Sequence, residues 1–379
     1  MHGVFTHDNI AALIEARRIF ALESFDNRHI NNASLDITTD GEIYAIEAVL
    51  KPRHQKERVR DLLPMMGATE HGISKPLRVG TSYLAKASID VNFPPGIYGY
   101  ANAKSTSGRL FLQSRLLVDY IAGFDTADLR DQGLSAEVWL VLEPLCFDIH
   151  LGMSTLECYS QLRIFNADTR FSNTDLTALL EHEDLLYRRP DGNKPPQPYR
   201  QGDLNLFTHD GSVIMTLFAQ GAAPIGYQAM CAPLLQEPID IGERGLSPTG
   251  YFSPLYATQL IPGDNNSWGV WLEANEYYLL ATNELVNVPD YLSFVLKELD
   301  SRHGDTTVHF AGYADPGFFG TITLEVRSPR RVFLRHKSPI VTGVFERMRD
   351  ETPAYSGNYQ GQVDTKLPKQ FTPFVPSAK

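Results

Sequence analysis

The feature that most narrows what this chain can fold into is a three-part string that occurs twice, in the same order and at similar spacing. Pro94-Pro95-Gly96-Ile97-Tyr98 is followed by Ser107-Gly108-Arg109 and then Ile121-Ala122-Gly123-Phe124-Asp125. Further on, Val288-Pro289-Asp290-Tyr291 is followed by Ser301-Arg302 and then Phe310-Ala311-Gly312-Tyr313-Ala314-Asp315. Recurrence of this kind points to two copies of one domain, and 379 residues is a natural length for two. The texture around both strings is that of a mainly β protein. Glu42–Leu50, Gly96–Ala101, Ser135–Leu142, Gln161–Phe165, Trp268–Glu273, Glu276–Ala281, Thr306–Phe310, Gly320–Val326 and Ile340–Phe345 are short and rich in β-branched and aromatic residues. Gly, Pro, Asn or Asp bound them, which is the rhythm of β sandwiches or barrels.

Helices are few. Thr6, Asp8 and Asn9 can cap one that carries Ile10, Leu13 and Ile14, and Ser172, Asn173 or Thr174 can cap another over Asp175–Tyr187. The Arg188–Pro198 run that follows is dense in proline and reads as an exposed connection. The expected organisation is a first domain over 1–165, a helical and proline-rich linker over 166–222, and a second domain over 223–379. The closing stretch from Thr352 to Lys379, rich in Pro, Gly, Gln and Lys, reads as an arm or flap.

Composition removes several classes of function. A net charge of -11 argues against a general nucleic-acid binder, which needs a basic surface to displace counterions, so any phosphate ligand must meet a local basic pocket. The three cysteines form no C-x-x-C pair, so the sequence suggests neither a disulfide framework nor a zinc ribbon. The amino terminus lacks a basic-then-apolar signal and no apolar run approaches membrane-spanning length. The expectation is a cytoplasmic protein with no membrane partner.

Two segments have the residue types that chemistry needs. Lys104-Ser105-Thr106-Ser107-Gly108-Arg109 concentrates two cations, three hydroxyls and a glycine after a predicted strand. Arg offers a planar fork of donors, Lys a mobile charge, and glycine lets the backbone approach an oxyanion. It is not a Walker A loop, and composition alone equally fits a polar hairpin turn. The second segment is His309 to Val326, in which Asp315-Pro316-Gly317 sets a turn and the strand after it alternates: Ile322, Leu324 and Val326 on one face, Thr321, Thr323, Glu325 and Arg327 on the other. A glutamate opposite an apolar face is ordinarily just solvated.

In combination the two segments resemble the signature regions of the dCTP deaminases, in the dCTP deaminase and dUTPase superfamily. Lys104 to Arg109 is similar to that family's Arg/Lys-Ser-Ser-x-x-Arg triphosphate loop, and His309 to Val326 to its His-x-Ala-Gly-x-x-Asp-Pro-Gly-x-x-Gly-x-x-x-Leu-Glu-Val segment. Asn32-Ala33-Ser34-Leu35-Asp36 resembles its Pro-Ala-Ser-Leu-Asp strand, and Tyr355 to Gln362 its carboxy-terminal flap. The layout is similar to the double-length bacterial members. The resemblance implies two tandem dUTPase-like β-barrel or jelly-roll domains, hydrolytic deamination of dCTP to dUTP and ammonia, and a homo-oligomer. It implies Glu325 as the catalytic acid–base. Lys104, Ser105, Thr106 and Arg109 fall to the triphosphate, Ala311, Gly312 and Asp315 to the sugar and base region, Thr323 and Leu324 to the pocket beside Glu325, and Tyr355 and Gln362 to the flap. It implies no catalytic zinc, and the H-x-E and P-C-x-x-C of zinc deaminases are absent. Magnesium would enter with the nucleotide.

The departures from the pattern are informative. Glu298-Leu299-Asp300-Ser301-Arg302 stands where the second copy should have a phosphate loop, and carboxylates there repel a triphosphate. The first copy has Asp125-Thr126-Ala127 in place of Asp-Pro-Gly, and Glu137 and Glu143 both lie near the register of Glu325. Each copy keeps half a site, and since the superfamily it resembles places its active site between neighbouring domains, the resemblance implies one composite pocket that joins the phosphate loop of the first copy to the Glu strand of the second. Asn358 stands where the family often has lysine, with Lys366 close enough to substitute. The alternatives are a dUTPase, a bifunctional enzyme that carries dCTP through to dUMP with Asp315 activating water, and a non-catalytic nucleotide-binding regulator.

Overall fold

The strands that organise this protein are buried on both faces. Ser82–Val91 and Tyr277–Asn287 are nearly devoid of exposed residues, so the alternation that marks a half-solvated strand is muted in them. They are also the centres of the two halves. In the computed structural model, which describes residues 2–129, 133–152, 157–190, 194–199, 210–300, 302, 306–308, 311–353 and 355–374, the chain forms two compact units. One is Met1–Thr169 with Ala232–Glu243 and Met348–Thr352; the other is Arg170–Cys231 with Arg244–Arg347 and Pro353–Lys379. Ser301, His309 and Phe310 of the quoted strings, and 191–193 of the proline-rich run, lie outside the described residues.

The repeat is real at the level of topology. In the first unit Ser82–Val91 is flanked by Thr39–Ile46 and Ala136–Pro144, carries the short Ile19–Ala21 on its far end, and connects through Ala136–Pro144 to Leu112–Val118. In the second, Tyr277–Asn287 is flanked by Pro224–Ala229 and Phe319–Arg327, carries Leu186–Arg188, and connects through Phe319–Arg327 to Thr307–Val308. Each unit adds a four-stranded sheet: Leu35–Ile37, Ser160–Phe165, Tyr98–Ala103 and Thr126–Ala127 in one, Val213–Thr216, Pro339–Arg347, Leu292–Lys297 and Tyr313–Ala314 in the other. The second unit's core draws on both of these sheets, with Tyr278, Leu280, Leu324 and Val326 meeting Met215, Phe294, Val341 and Phe345. Each copy is therefore a jelly-roll-like β fold, as expected.

The correspondence reassigns the segment read as a linker. The helix Asn173–His182 matches His7–Glu15, Leu186–Arg188 matches Ile19–Ala21, and Val213–Thr216 matches Leu35–Ile37. Leu176, Leu185, Leu186 and Val213 are buried in the second core. So residues 170–190 open the second copy. The helix starts where Ser172 accepts the N–H of Asp175 at 3.1 Å and stops at His182, five residues before the expected Tyr187, because Glu183 turns to an extended backbone and Leu185 and Leu186 go into the core.

Candidate functional site

The ladders of the two central strands can be read against each other residue by residue. In the first unit Tyr83, Leu84, Ala85 and Lys86 pair with Leu142, Val141, Leu140 and Trp139; after an irregularity, Asp90 and Val91 pair with Glu137 and Ala136. In the second, Tyr278, Leu279, Leu280 and Ala281 pair with Val326, Glu325, Leu324 and Thr323; after an irregularity of the same length, Leu285 and Val286 pair with Thr321 and Gly320. The counterpart of Glu325 is thus Val141. Glu137 and Glu143 take the places of Thr321 and Arg327. Val141 packs with Leu84, Trp139 and Ile46 in an apolar cluster closed by Val59, Leu62 and Met66. In the first copy the face that would present an acid is a plug of hydrocarbon.

The same comparison corrects the sequence alignment of the aspartates. Ala127 pairs with Gly99 and Ala314 with Phe294, while Ala101 donates to Asp125 O and Leu296 to Gly312 O. Gly312 therefore corresponds to Asp125, and Asp315 to Asp128. The likeness of Ile121–Asp125 to Phe310–Asp315 is a coincidence of letters, two residues out of register at the Ala-Gly pair and three at the aspartates. Asp125 does a different job: its carboxylate accepts from Arg115 Nε and from Leu116 N at 2.8 Å, fixing the edge of the Leu112–Val118 strand.

In the first unit, Lys104 to Arg109 forms a short helical turn, Ser105–Arg109, between the strands Tyr98–Ala103 and Leu112–Val118. Backbone bonds pin its start, with Lys104 N donating to Tyr159 O at 3.1 Å and Gly108 N to Lys104 O at 2.9 Å. Ser107 is fully buried and donates to Cys158 O at 3.2 Å, so it is a structural hydroxyl. Lys104, Ser105 and Thr106 are half-buried, and Arg109 is 3% exposed. Lys104 Nζ meets Asp36 at 2.8 Å and Gln161 at 3.4 Å. The Asn32–Asp36 string and the basic turn, far apart in sequence, thus converge on one spot.

In the second unit, Asp315-Pro316-Gly317-Phe318 is the expected turn: Phe318 N donates to Asp315 O at 3.1 Å, and Gly317 adopts a φ of 82° that disfavours side chains. Glu325 is only 4% exposed, as is Thr323, and Thr321 is fully buried. The glutamate is therefore enclosed rather than solvated. What encloses that face is the segment after Tyr355. Tyr355 N donates to Pro316 O at 2.9 Å and its ring packs against Phe318 at 5.9 Å. Gln360 bonds Phe319 N at 3.0 Å and Gly317 O at 2.9 Å. Gln362 accepts from Thr321 N at 2.8 Å through its carbonyl, and its side-chain amide donates to Thr321 O and to Thr323 Oγ1 at 3.5 Å. Gly320 makes this closeness possible: at φ 154° a Cβ there would stand 2.7 Å from Gln362 O.

The structure so brings the Asp315 turn, Thr323, Tyr355 and Gln362 together at the strand of Glu325, with Tyr355 bonded to Pro316 of the turn and Gln362 to Thr321 and Thr323 of the strand. Leu324 points the other way, into the core, so only its backbone can serve a pocket on that face. Ala311 is buried, and Gly312 lies where a Cβ would meet Leu296 at 2.5 Å, a packing reason for glycine there. Lys366 and Asn358 are both exposed. Gln360 and Thr321 were missed in the sequence; the strand alternation pointed to Thr321, whereas nothing local marks Gln360. Among the described residues no group of three or more His, Cys, Asp or Glu is placed to hold a metal ion, and no helix is long and apolar enough to cross a membrane.

The fold and site define a tandem, duplicated jelly-roll β protein with a basic hydroxyl-bearing turn in one copy and an enclosed acid in the other. Residues 1–168 match the 2'-deoxycytidine 5'-triphosphate deaminase N-terminal domain and residues 207–371 the C-terminal domain of the same family. The chain belongs to the dCTP deaminase family. It is 32% identical over 137 residues to the dCTP deaminase of Pyrococcus abyssi, which covers 34% of this chain and 88% of that one. It is 29% identical over 123 residues to the dUMP-forming dCTP deaminase of Sulfurihydrogenibium, covering 31% and 68%. The fold is similar to the crystal structure of the Agrobacterium tumefaciens 2'-deoxycytidine 5'-triphosphate deaminase, with a TM-score of 0.74 and 22% identity over 93% of this chain and 99% of that one.

Proposed function

We propose that this protein hydrolyses dCTP to dUTP and ammonia without a catalytic zinc ion, and that turnover requires the basic turn of the first copy together with Glu325 of the second. One observation carries the reading. The two halves of the machinery are retained complementarily: where the first copy has Lys104–Arg109 the second copy's sequence runs through Glu298, Leu299 and Asp300, with Asp300 pairing Arg302 at 2.9 Å, and Glu325 has only Val141 in the first.

The chemistry asks for a water to add at C4 of cytosine, a proton to reach N3, and the C4–N bond to break as ammonia leaves. Glu325 takes one proton from the water and delivers it to N3, where it stays; as the C4–N bond breaks it takes the remaining proton from the C4 hydroxyl and gives it to the departing amino group, so C4=O forms, the carboxylate is regenerated and the net change is water in, ammonia out. Such proton transfer supplies about 10²–10⁴-fold in rate. Thr323 shares the face of Glu325 and, with Gln362, fixes hydrogen-bonding groups beside it. Lys104, Ser105, Thr106 and Arg109 hold the triphosphate, which brings its magnesium as part of the substrate. The protein works as a homo-oligomer in the cytoplasm.

The test is product analysis on dCTP, dCMP and dUTP in parallel. Ammonia and dUTP from dCTP alone are expected. Pyrophosphate and dUMP as main products would move the protein to the dUMP-forming class, to which several relatives belong by name. Binding of dCTP with no product would leave a regulator.

A further inference from the structure

The second unit contains a cleft of about 730 Å³ that the proposed reaction does not use. Its size is that of a small-molecule site. Arg189 forms one wall. Its side chain is 9% exposed, lies 3.8 Å over the Phe218 ring, and donates to Thr282 O at 3.1 and 3.3 Å. Its remaining arm reaches Asp364 Oδ1 at 3.1 Å, and that carboxylate is 83% exposed. Burial pulls the guanidinium down to about 10, still charged at neutral pH. Lys337 and Arg188 add cations at the rim. At the opposite end Glu284, 1% exposed, accepts from Thr216 N at 2.7 Å, from the Thr216 hydroxyl and from Asn283 at 3.2 Å.

The duplication supplies an internal control for why these charges are there. Ala21 pairs with Ile89 in the first copy, and Arg188 pairs with Glu284 in the second. By the same register Arg189 stands where the first copy has Leu22. The fold thus forms with Ala, Leu and Ile at three places where this unit has Arg, Arg and Glu. Burying a carboxyl and a guanidinium costs several kcal/mol each unless partners offset it, so packing alone gives no reason for the change.

We infer that the cleft is a second ligand site, for a small organic anion that carries N–H donors. The anionic group takes Arg189 from the exposed Asp364, with Lys337 and Arg188 beside it, and the N–H groups meet Glu284 and Asn283. Asp364 lies two residues after Gln362, whose amide is bonded to Thr321 and Thr323. An occupant that displaces Asp364 therefore acts on the segment that encloses Glu325, and the site is regulatory in effect.

Calorimetric titration of the full chain with inorganic phosphate and with dUMP tests this, independently of whether dCTP is deaminated. Binding of either probe is expected to survive Arg109→Ala, which disables the triphosphate turn, and to weaken at least tenfold in Arg189→Leu. Asp364→Asn, at an exposed position that does not threaten folding, is expected to tighten binding at least threefold by releasing Arg189. Affinity unchanged in Asp364→Asn, or binding abolished by Arg109→Ala, would overturn the inference.

Discussion

Replacing Glu325 by glutamine isolates the proton-transfer step from everything else the strand does. The side chain is 4% exposed and sits between Thr323 and Arg327 on the face opposite the Leu324 and Val326 core. Glutamine keeps its volume and hydrogen-bonding length, so no cavity opens and stability should move by less than about 1 kcal/mol. What is lost is a carboxylate able to accept and return a proton. Removing a factor of about 10²–10⁴ raises the barrier by roughly 3–5 kcal/mol, read as a fall in kcat of two to four decades. If, as proposed, the triphosphate is held by Lys104 to Arg109 on the other copy, the dissociation constant for dCTP should change by less than about threefold, under roughly 0.7 kcal/mol. Ammonia release under saturating dCTP gives kcat, and calorimetry gives the affinity. A variant that turns over within tenfold of the parent while binding dCTP normally would refute the role of Glu325.

Three further outcomes follow from the geometry. Arg109→Ala should raise the KM for dCTP by about 10²-fold or more, as expected for a lost charge-assisted phosphate contact, while a substrate lacking the β and γ phosphates should be much less affected; equal losses on dCTP and dCMP would contradict the assignment. Val141→Glu puts a carboxyl into the cluster of Leu84, Trp139 and Met66 and should destabilise the first unit by about 3 kcal/mol in urea melts without adding activity; a variant as stable as the parent would show that face is not a sealed core. His336 is pulled down to about 4, chiefly by burial, with Lys337 opposing its charge. Its folded pKa lies below the unfolded 6.5, so its contribution is complete above pH 6.5 and is lost as pH falls toward 4. The ring is partly solvated, and screening limits the loss to roughly 1–2 kcal/mol. His336→Gln should flatten that part of the stability profile, and an unchanged slope would assign it elsewhere.

How much of this was legible beforehand depends on distance along the chain. The Phe319–Arg327 strand could be read because its apolar and polar residues alternate and a proline–glycine turn precedes it. The Lys104–Arg109 turn could be read because its residue types crowd together. Ser82–Val91 was missed: it is buried on both faces, so the period of two fades, and its Lys86 and Asp90, paired at 2.7 Å, look like surface residues. The second copy's opening was mistaken for a spacer because the strand that declares it, Leu186–Arg188, is three residues long beside a proline run. The counterparts of Glu325 and Asp315 were misassigned or left open because short strings align by letters, whereas ladders align by hydrogen bonds, and the connections between matched strands differ in length between the copies. The Arg189 cleft draws on residues from 188 to 364 and has no local signature at all.

Gly320 gives this architecture a one-atom lever. Because a Cβ at that position would collide with the carbonyl of Gln362, the tail can seat only against a bare backbone. A single methyl group there would work as a doorstop, holding the last part of the chain away without touching the acid or the phosphate turn. It would give a form of the protein stalled ajar, in which the contribution of closure could be weighed apart from that of chemistry.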